Sequence, residues 1–499
     1  MKKWIAMLLA VLMTVTMTAG YAESAEGIRL ELGMDTFSKT LEADGRVYAE
    51  ASYMGLVLLP GCAEKYPELA TLVAQLNQES GEKCDAFLEE VAQYYQESEQ
   101  KDTVYYTYEQ ELYVQRADSR MLSVMVNLYA YTGGAHPTQS LTAVNIDPET
   151  ARVLDIDDLF TDVPAVLSKV AERIQEQYAG VEFEDLQGQL ASYEEQGHSC
   201  SFGPQGVTFC FPPYALAAYA VGQINVTFLY DELKDLIQEK YTADAQGGFI
   251  RQIPLYNEIV LDVQGDGAAD ALTVFTSVSE EDENIRENLR IILNDQEYAD
   301  PDFYAFDMKA YVVTVEAQEG VKTYLYLEST SENDYATLDV FDLNGEEIKR
   351  TGSMSGSRFP AEWNGEEAKL MEYIPVSSEQ FLMETRMDVL GTLGVYQFYS
   401  TDAENGLPVP QDTVYQLSPE LDPYTSLVPL TVLTIPDGAQ EEIPAGTSFS
   451  FLRTDGETFV EMGLVDGREC RLEIQITDGG VMINGVPESE CFDGIFYAG

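Results

Sequence analysis

The sequence predicts a multidomain protein with an α+β N-terminal half, then a β-rich domain and a small SH3-like β-barrel. Three observations predict this order. Two stretches with helical spacing lie among strands before residue 245, strand follows strand from about 255 to 417, and short strands separated by Asp-Gly turns fill the end of the chain. Helices set apart from runs of strands are typical of an antiparallel sheet with segregated helices.

The expected domain boundaries follow the changes of pattern, and Gly247-Gly248 marks the one before the β-rich part. We expect a signal peptide at 1–22, α+β modules at 28–135 and 136–245, the β-rich domain at 250–420, and the barrel with a packed C-terminal tail at 425–499.

The first residues are typical of a secretory signal peptide. Lys2 and Lys3 precede an apolar stretch from Trp4 to Val15, and small residues end at Ala22, where we expect cleavage. Elsewhere no apolar run approaches the roughly 20 residues that a membrane helix needs. The sequence therefore predicts an exported protein, secreted or associated with the cell envelope, that does not span the membrane once the signal is cleaved.

In the first module, alternation predicts two strands around the turn EADGR, at 28–34 and 47–60. Helical spacing then predicts a helix over 65–100, which Gly81 breaks or bends. Strands resume from about 103.

In the second module, Pro148-Glu149-Thr150 predicts a hairpin turn. Asp162 is expected to cap a helix that has Pro164 in its first turn. The segment SCSFGPQGVTFCF predicts a further hairpin, and a strand and a short helix close the half.

Two segments of the β-rich part are expected to be loops. The charge run SEEDENIREN at 279–288 is most simply a solvated loop. The segment SMSGSRFPAEWNGEEAK at 353–369 is long enough for an edge or a binding feature.

The six cysteines fall into three local pairs, and an even number in an exported chain indicates disulfides. We expect sequential pairing, since each pair lies inside one predicted domain. Free thiols are the alternative, for an organism that lives without oxygen. The expected bridges are Cys62–Cys84, Cys200–Cys210 and Cys470–Cys491.

The composition is strongly acidic. With 28 Lys and Arg against 86 Asp and Glu, the net charge is −58. Such a charge repels nucleic acid and anionic membranes and attracts cationic partners. The many aromatic residues supply a core, so we expect folded domains with acidic surfaces.

The segment YTGGAHPTQSLTAVNIDPETARVLDIDDLF, with VTFCFPPYALAAYAVGQINVTFLYDEL downstream, resembles a known pair of modules. These are DUF4163 and DUF3298, found in RsiV-type lysozyme-sensing anti-sigma factors and ahead of the catalytic domain of PdaC-type peptidoglycan deacetylases. The resemblance covers about residues 28–240. It implies that the N-terminal half is an exported α+β binding region. Its partner would be either a cationic protein such as lysozyme or a component of the cell wall.

The resemblance does not extend to deacetylase chemistry. That domain needs an Asp and a His-x-x-x-His pair for its metal, whereas this chain has only His136 and His198. The last 70 or so residues resemble bacterial SH3-type barrels, which often bind peptide or cell wall.

The segment LDVQGDGAAD at 261–270 resembles a short calcium loop. Oxygen-bearing side chains alternate around a glycine suited to a sharp turn, although Thr273 stands where such loops have Glu. Calcium is therefore the one cofactor considered, and an ordinary Asp-Gly hairpin is the alternative. The candidate ligands are Asp262, Gln264, Asp266 and Asp270.

His136 stands in the turn Gly133-Gly134-Ala135-His136-Pro137. A metal ligand or general base is one interpretation, but no second histidine lies near it in the sequence. We therefore expect a structural turn, in which both glycines permit positive φ, His136 bonds the backbone and Pro137 fixes the exit.

No nucleophile elbow, phosphate-binding loop or H-E-x-x-H motif is present. The sequence therefore predicts an exported binding protein, without catalytic residues, for a cationic extracellular protein or a cell-wall component. A cell-wall hydrolase that uses two carboxylates, or a passive surface protein, is the alternative.

Overall fold

The structure is a computed structural model that describes residues 29–98, 103–192, 199–242, 248–280, 282, 284–318, 320–332, 335–364, 369–417, 423–477 and 480–497. The predicted signal peptide at 1–22 and His198 lie outside the described residues. Within the described ranges, no helix has the length and apolar character needed to span a membrane.

The first half of the chain mixes strands and helices in this order: β1 (Leu32–Ala43), β2 (Arg46–Leu58), α1 (Pro60–Lys65), α2 (Pro67–Glu97), β3 (Tyr106–Ala117), β4 (Leu122–Tyr131), β5 (Thr138–Asp147), β6 (Arg152–Val153), α3 (Ile156–Leu159), α4 (Val163–Gln177), α5 (Leu186–Ala191), β7 (Ser199–Phe202), β8 (Gly206–Phe211), β9 (Ile224–Leu229) and α6 (Tyr230–Leu233).

The middle of the chain is built from strands: β10 (Ile250–Ile253), β11 (Ile259–Leu261), β12 (Asp270–Val278), β13 (Arg286–Leu293), β14 (Gln296–Ala305), β15 (Asp307–Ala317), β16 (Gly320–Ser331), β17 (Tyr335–Asp342), β18 (Lys349–Ser355), β19 (Ser357–Arg358), β20 (Ala361–Asn364), β21 (Lys369–Ile374), β22 (Phe381–Asp388), β23 (Thr392–Thr401), β24 (Pro408–Pro410) and β25 (Tyr415–Leu417).

The C-terminal part adds β26 (Tyr424–Ser426), β27 (Leu430–Ile435), β28 (Gln440–Ile443), β29 (Ser448–Thr454), β30 (Phe459–Leu464), β31 (Glu469–Thr477), β32 (Gly480–Ile483), β33 (Val486–Pro487), α7 (Glu488–Cys491) and β34 (Phe492–Asp493). The protein is thus multidomain and mostly β, with several sheets and a half-barrel.

Several local features of the first half match the prediction. β1 and β2 form a hairpin around Asp44 and Gly45, which both have positive φ. Asp162 caps α4 by accepting a hydrogen bond from the backbone N–H of Ala165. The side chain of Asp147 accepts the N–H groups of Glu149 and Thr150 in the turn between β5 and β6. Local signals were sufficient here because each motif satisfies its own backbone.

The first sheet is mixed, which corrects the expected antiparallel sheet. Its order is β20-β21-β1-β2-β3-β4-β5-β6, and β2 pairs with β3 in parallel. The connection between them runs through α2, which carries the chain back to the end from which β2 started. α2 continues through Gly81, where a break or bend was expected. A Cβ at this position would lie 3.1 Å from the hydroxyl of Tyr53, so the glycine makes room for β2.

The sheets also cross the predicted domain boundaries. The boundary at 135/136 falls within the loop of the β4–β5 hairpin, so one sheet runs through both α+β modules. Strands β20 and β21 come from the predicted β-rich domain but pair onto β1. They form an edge of this sheet, although most of 353–369 was expected to be a loop. Such long-range pairing has no signal in the sequence alone.

The C-terminal strands do not stand apart as a separate barrel. β25 pairs with both β23 and β29, so one sheet joins them to the middle of the chain. The SH3-like description therefore remains a prediction. The tail packs as expected: Cys491 and Phe492 are buried in the same core as β29 to β31, and β34 pairs with β26.

The three expected disulfides are not formed: all six cysteines are buried free thiols. In the β7–β8 hairpin, Cys200 lies opposite Phe209 while Cys210 lies opposite Ser199. Because neighbouring residues of a strand point to opposite faces, the two thiols face away from each other. Cys62 lies in α1, before the start of α2, whereas Cys84 lies within α2. About 25 Å of helix separates the first residue of α2 from Cys84, so the two cysteines are too far apart to form a bond. Cys470 and Cys491 share one core without bonding.

Candidate functional site

A cavity of about 520 Å³ lies between the first sheet, the β7-β8-β9 sheet and the start of the β-rich part. Strands β3 to β5 supply one wall, the β8–β9 pair with the end of α4 supplies a second, and residues 251–260 supply the third. The site therefore exists only where three parts of the chain meet.

Arg251 is the one cationic residue among the described residues that line this cavity. It lies on the short edge strand β10, two residues before the buried Ile253. Residues two apart on a strand share a face, so Arg251 points to the same side as Ile253. The guanidinium packs over the β7–β8 turn, where a Cβ on Gly203 would lie 2.9 Å from its Nη1. A larger residue at this position would require the end of the Arg251 side chain to shift.

The Arg251 side chain is poorly satisfied. Its Nη1 donates to the Gln115 Oε1 at 3.4 Å, and its buried Nε has no hydrogen-bond partner in the part of the chain that the structure describes. Burial lowers the pKa of Arg251 to about 10, and Tyr230 opposes that shift. The side chain remains positively charged at neutral pH, because this value is well above 7.

The walls of the cavity consist mostly of neutral side chains that can form hydrogen bonds. Thr208 and Thr227 bond to each other at 2.9 Å across β8 and β9, and Gln223 donates to Asn225 at 2.8 Å. Across the cavity lie the amides of Asn127 on β4 and Gln139 on β5, with Gln177 and Asn257 nearer the other edges. Amides and hydroxyls serve as both donors and acceptors, so they suit a hydroxyl- or amide-rich ligand.

Glu258 is the one carboxylate among the described residues that line this cavity, and it is exposed. Glycoside hydrolysis of the usual kind needs a pair of carboxyl groups on either side of the bond. The lining therefore favours binding over that chemistry. Tyr178 lies nearby; burial, opposed by a backbone hydrogen bond and supported by Glu258, raises the pKa of its hydroxyl.

A second cavity, of about 450 Å³, lies next to the first. Its arginines are satisfied by the protein itself. Arg116 forms a salt bridge with Asp118 at 2.6 Å and donates to the carbonyl oxygen of Tyr241, and Arg29 donates to the carbonyl of Gly248. This cavity consequently has less to offer an anionic ligand than the Arg251 cavity.

The turn around His136 forms the loop between β4 and β5. Gly133 has a positive φ of 83°, whereas Gly134 does not. His136 is exposed, and its ring lies 4.7 Å from that of Tyr219. Pro137 leads directly into β5, which carries Gln139. The contact between His136 and Tyr219 therefore connects the segment before Gln139 with the segment before Gln223. Both glutamines line the Arg251 cavity.

The predicted calcium loop is a turn between β11 and β12. The carboxylate of Asp262 accepts the N–H groups of Asp266 and Gly267, at 3.1 and 2.9 Å. Asp266 accepts from Ala268, and Asp270 accepts from Val263 and from Asn294. No group of three or more His, Cys, Asp or Glu residues that could hold a metal ion occurs among the described residues. The carboxylates thus do what an ordinary Asp-Gly turn requires.

Two segments that form this site match known families. Residues 61–139 match the family model described as Deacetylase PdaC, and residues 157–231 match a protein family of unknown function, DUF3298. The chain thus contains one segment that is similar to each of these families. The predicted resemblance is confirmed for these families, and the PdaC-like domain indicates an extracytoplasmic location. The DUF4163 and RsiV relationships remain predictions.

The chain is also similar to two solved structures. One is a DUF3298 family member from Bacteroides fragilis, 18% identical with a TM-score of 0.34, over 43% of this chain and 96% of that one. The other is a DUF3298 family protein from Pseudomonas aeruginosa, 14% identical with a TM-score of 0.28, over 42% and 95%. No curated protein matches the chain.

The PdaC-like and DUF3298 domains supply two walls of the cavity, but Arg251 lies outside both matched segments. No motif in the sequence pointed to this residue. The signal that could have identified Arg251 is its place in a short apolar segment. It alternates with Phe249 and Ile253, so its side chain is expected to point inward with theirs. The cavity itself had no sequence signal, because it needs the packing of three segments.

Proposed function

We propose that this chain is an extracytoplasmic binding protein, without catalysis of its own, that recognises a cell-wall component in the Arg251 cavity. The observation that carries the proposal is the cavity of about 520 Å³, whose described lining consists mostly of amides and hydroxyls and includes one arginine. Its size falls in the range of small-molecule sites, roughly 300–1,000 Å³. A wall fragment of one or two sugar or amino-acid units presents the hydroxyl and amide groups that such a lining can bond.

The family matches support this assignment. A PdaC-like segment beside a DUF3298-like segment suggests an extracytoplasmic protein, and that location gives access to cell-wall components. The presence of one exposed carboxylate in the cavity, Glu258, disfavours the alternative of a two-carboxylate hydrolase.

The test is binding of soluble peptidoglycan fragments to the purified full chain, measured by calorimetry. Asn257→Trp should abolish binding because this exposed residue lines the cavity and the indole would fill it. Asn284→Trp, on an exposed loop between β12 and β13, is the matched control and should bind normally. Absence of binding by the wild type would refute the function, and unchanged binding by Asn257→Trp would refute the site. New reducing ends or amines in the mixture would instead support the hydrolase.

A second candidate is recognition of a cationic extracellular protein such as lysozyme, favoured by the net charge of −58. Attraction between such surfaces weakens as salt screens the charges. The full chain should therefore bind lysozyme at low ionic strength and lose affinity as salt is added. No binding at low ionic strength would exclude this candidate. A passive surface role would follow if neither binding assay responds.

A further inference from the structure

We infer that the Arg251 cavity binds its ligand through a carboxylate group, so that the ligand is a small acidic molecule rather than a neutral one. This inference rests on the proposed function, which assigns the cavity to a wall component, and adds the chemical class. It starts from an unusual pairing of facts: a partly buried cation with no acidic partner, in a chain in which acidic residues outnumber basic ones about three to one.

Two other arginines with limited exposure have acidic partners, whereas Arg29 donates to backbone carbonyl oxygens instead. Arg116 pairs with Asp118 at 2.6 Å, and Arg358 pairs with Glu384 at 2.8 Å. Arg251 forms no salt bridge with any described residue, and its hydrogen bond to Gln115 is long, at 3.4 Å. Acidic residues are so abundant in this chain that an arginine needed only for packing would be expected to have an acidic partner nearby.

Leaving a guanidinium desolvated and unpaired destabilises a folded protein. A ligand carboxylate removes that cost, since the planar guanidinium can donate two parallel hydrogen bonds to its two oxygens. Here the buried Nε has no partner among the described residues, and Nη1 makes only one long bond, to Gln115. A carboxylate that reaches the guanidinium can therefore replace this long bond with charge-assisted ones.

The rest of the lining fits a carboxylate carried by a polar molecule. The Thr208–Thr227 pair and the Gln223–Asn225 pair offer neutral donors and acceptors on one wall, and Asn127 and Gln139 face them from β4 and β5. Glu258, the other charged residue of the lining, is exposed and repels a carboxylate that does not reach Arg251. The field within the cavity therefore selects the position of the acid group.

The experiment compares acidic and neutral members of two matched pairs by calorimetry with the full chain. N-acetylmuramic acid against N-acetylglucosamine tests a sugar acid, and D-alanyl-D-alanine against its C-terminal amide tests a peptide end. The acid of at least one pair should bind at least about tenfold more tightly than its neutral partner, the factor expected for charge-assisted hydrogen bonds. Whichever pair shows the difference identifies the source of the carboxylate.

Arg251→Gln should lose the preference for the acid, whereas Arg290→Gln should retain it. Arg290 is a matched control because it lies on the surface, paired with Glu297, and its loss changes the net charge equally. Glu258→Gln should bind the acid more tightly than the wild type. Thermal melting of Arg251→Gln checks its fold, and a melting temperature at or above that of the wild type is expected, because an unpaired cation is removed.

Equal binding of acid and neutral members, failure of every acid to bind, or an unchanged preference in Arg251→Gln would overturn the inference. Each of these results is distinguishable from failure of the proposed function. If the preference for acids is absent but wall fragments bind the wild type and not Asn257→Trp, the cavity still binds a wall component, and that ligand is neutral. Wall fragments that do not bind at all would remove the function itself.

Discussion

The imidazole of His136 lies against the ring of Tyr219 in a tilted arrangement, with the ring centroids 4.7 Å apart, and the ring of Tyr219 in turn lies 5.2 Å from that of Tyr214. This contact joins the β4–β5 loop to the segment that leads into β9. Both segments continue directly into walls of the Arg251 cavity. We therefore expect His136 to position these two segments, in addition to the turn that the sequence predicted.

His136→Ala should weaken ligand binding in the cavity while lowering the free energy of unfolding by no more than about 1 kcal/mol, the scale of one exposed aromatic contact. His136→Phe keeps a ring and should restore binding. Chemical denaturation and calorimetry check both effects. A loss of binding in His136→Phe as large as in His136→Ala would show that the imidazole acts chemically.

All six thiols should react with a thiol reagent after unfolding without reductant, because the structure contains only free cysteines. In the folded protein the reaction should be slow, since burial raises the pKa of Cys62 to about 11 and that of Cys210 to about 12. The thiolate is the reactive form, so few thiols are reactive near neutral pH. Fewer than six reactive thiols in the unfolded chain would restore the disulfide prediction.

Glu328 should make stability fall as the pH rises. Burial raises the pKa of its carboxyl to about 7, opposed by Lys309 and by the N–H of Phe359, which it accepts at 2.6 Å. The unfolded chain releases this proton near the ordinary value of 4.5. The stabilising contribution is therefore complete below 4.5 and is lost as the pH rises through 7.

Glu328→Gln removes this titration but retains an acceptor for Phe359. Between pH 4 and pH 8, its unfolding free energy should rise relative to that of the wild type by about 3 kcal/mol, the equivalent of this pKa shift. Denaturant unfolding at several pH values checks the change. Glu347→Gln, on an exposed turn, is the control and should follow the wild type. Parallel profiles for Glu328→Gln and the wild type would contradict the assignment.

Asp262→Ala should lower the free energy of unfolding by about 1–2 kcal/mol, because two backbone N–H groups lose their acceptor. The loss should be the same with calcium and with a chelator if the loop is an ordinary turn. Thermal melting with and without calcium checks this. A calcium-dependent rise in the melting temperature of the wild type that Asp262→Ala lacks would establish the calcium site instead.

Short-range features were predictable because their partners are close in sequence. The Asp44-Gly45 turn, the Asp162 cap and the turn after Asp147 each satisfy backbone groups within a few residues. The predicted hairpin is present, but the predicted Cys200–Cys210 bond is not formed. Cys200 pairs with Phe209, one residue away from Cys210, and this shift of one residue places the two thiols on opposite faces of the sheet.

The sequence by itself determined the strand-rich composition, the acidic charge, the main turns and caps, and the resemblance to the PdaC-like and DUF3298 families. The tertiary structure alone decided that β2 and β3 are parallel, that β21 joins β1, and that Arg251 meets Gln115 and Gly203 at a cavity. The physical reason is distance along the chain. Hydrogen bonding and alternation act between near neighbours, whereas a binding cavity depends on how separately formed elements pack together.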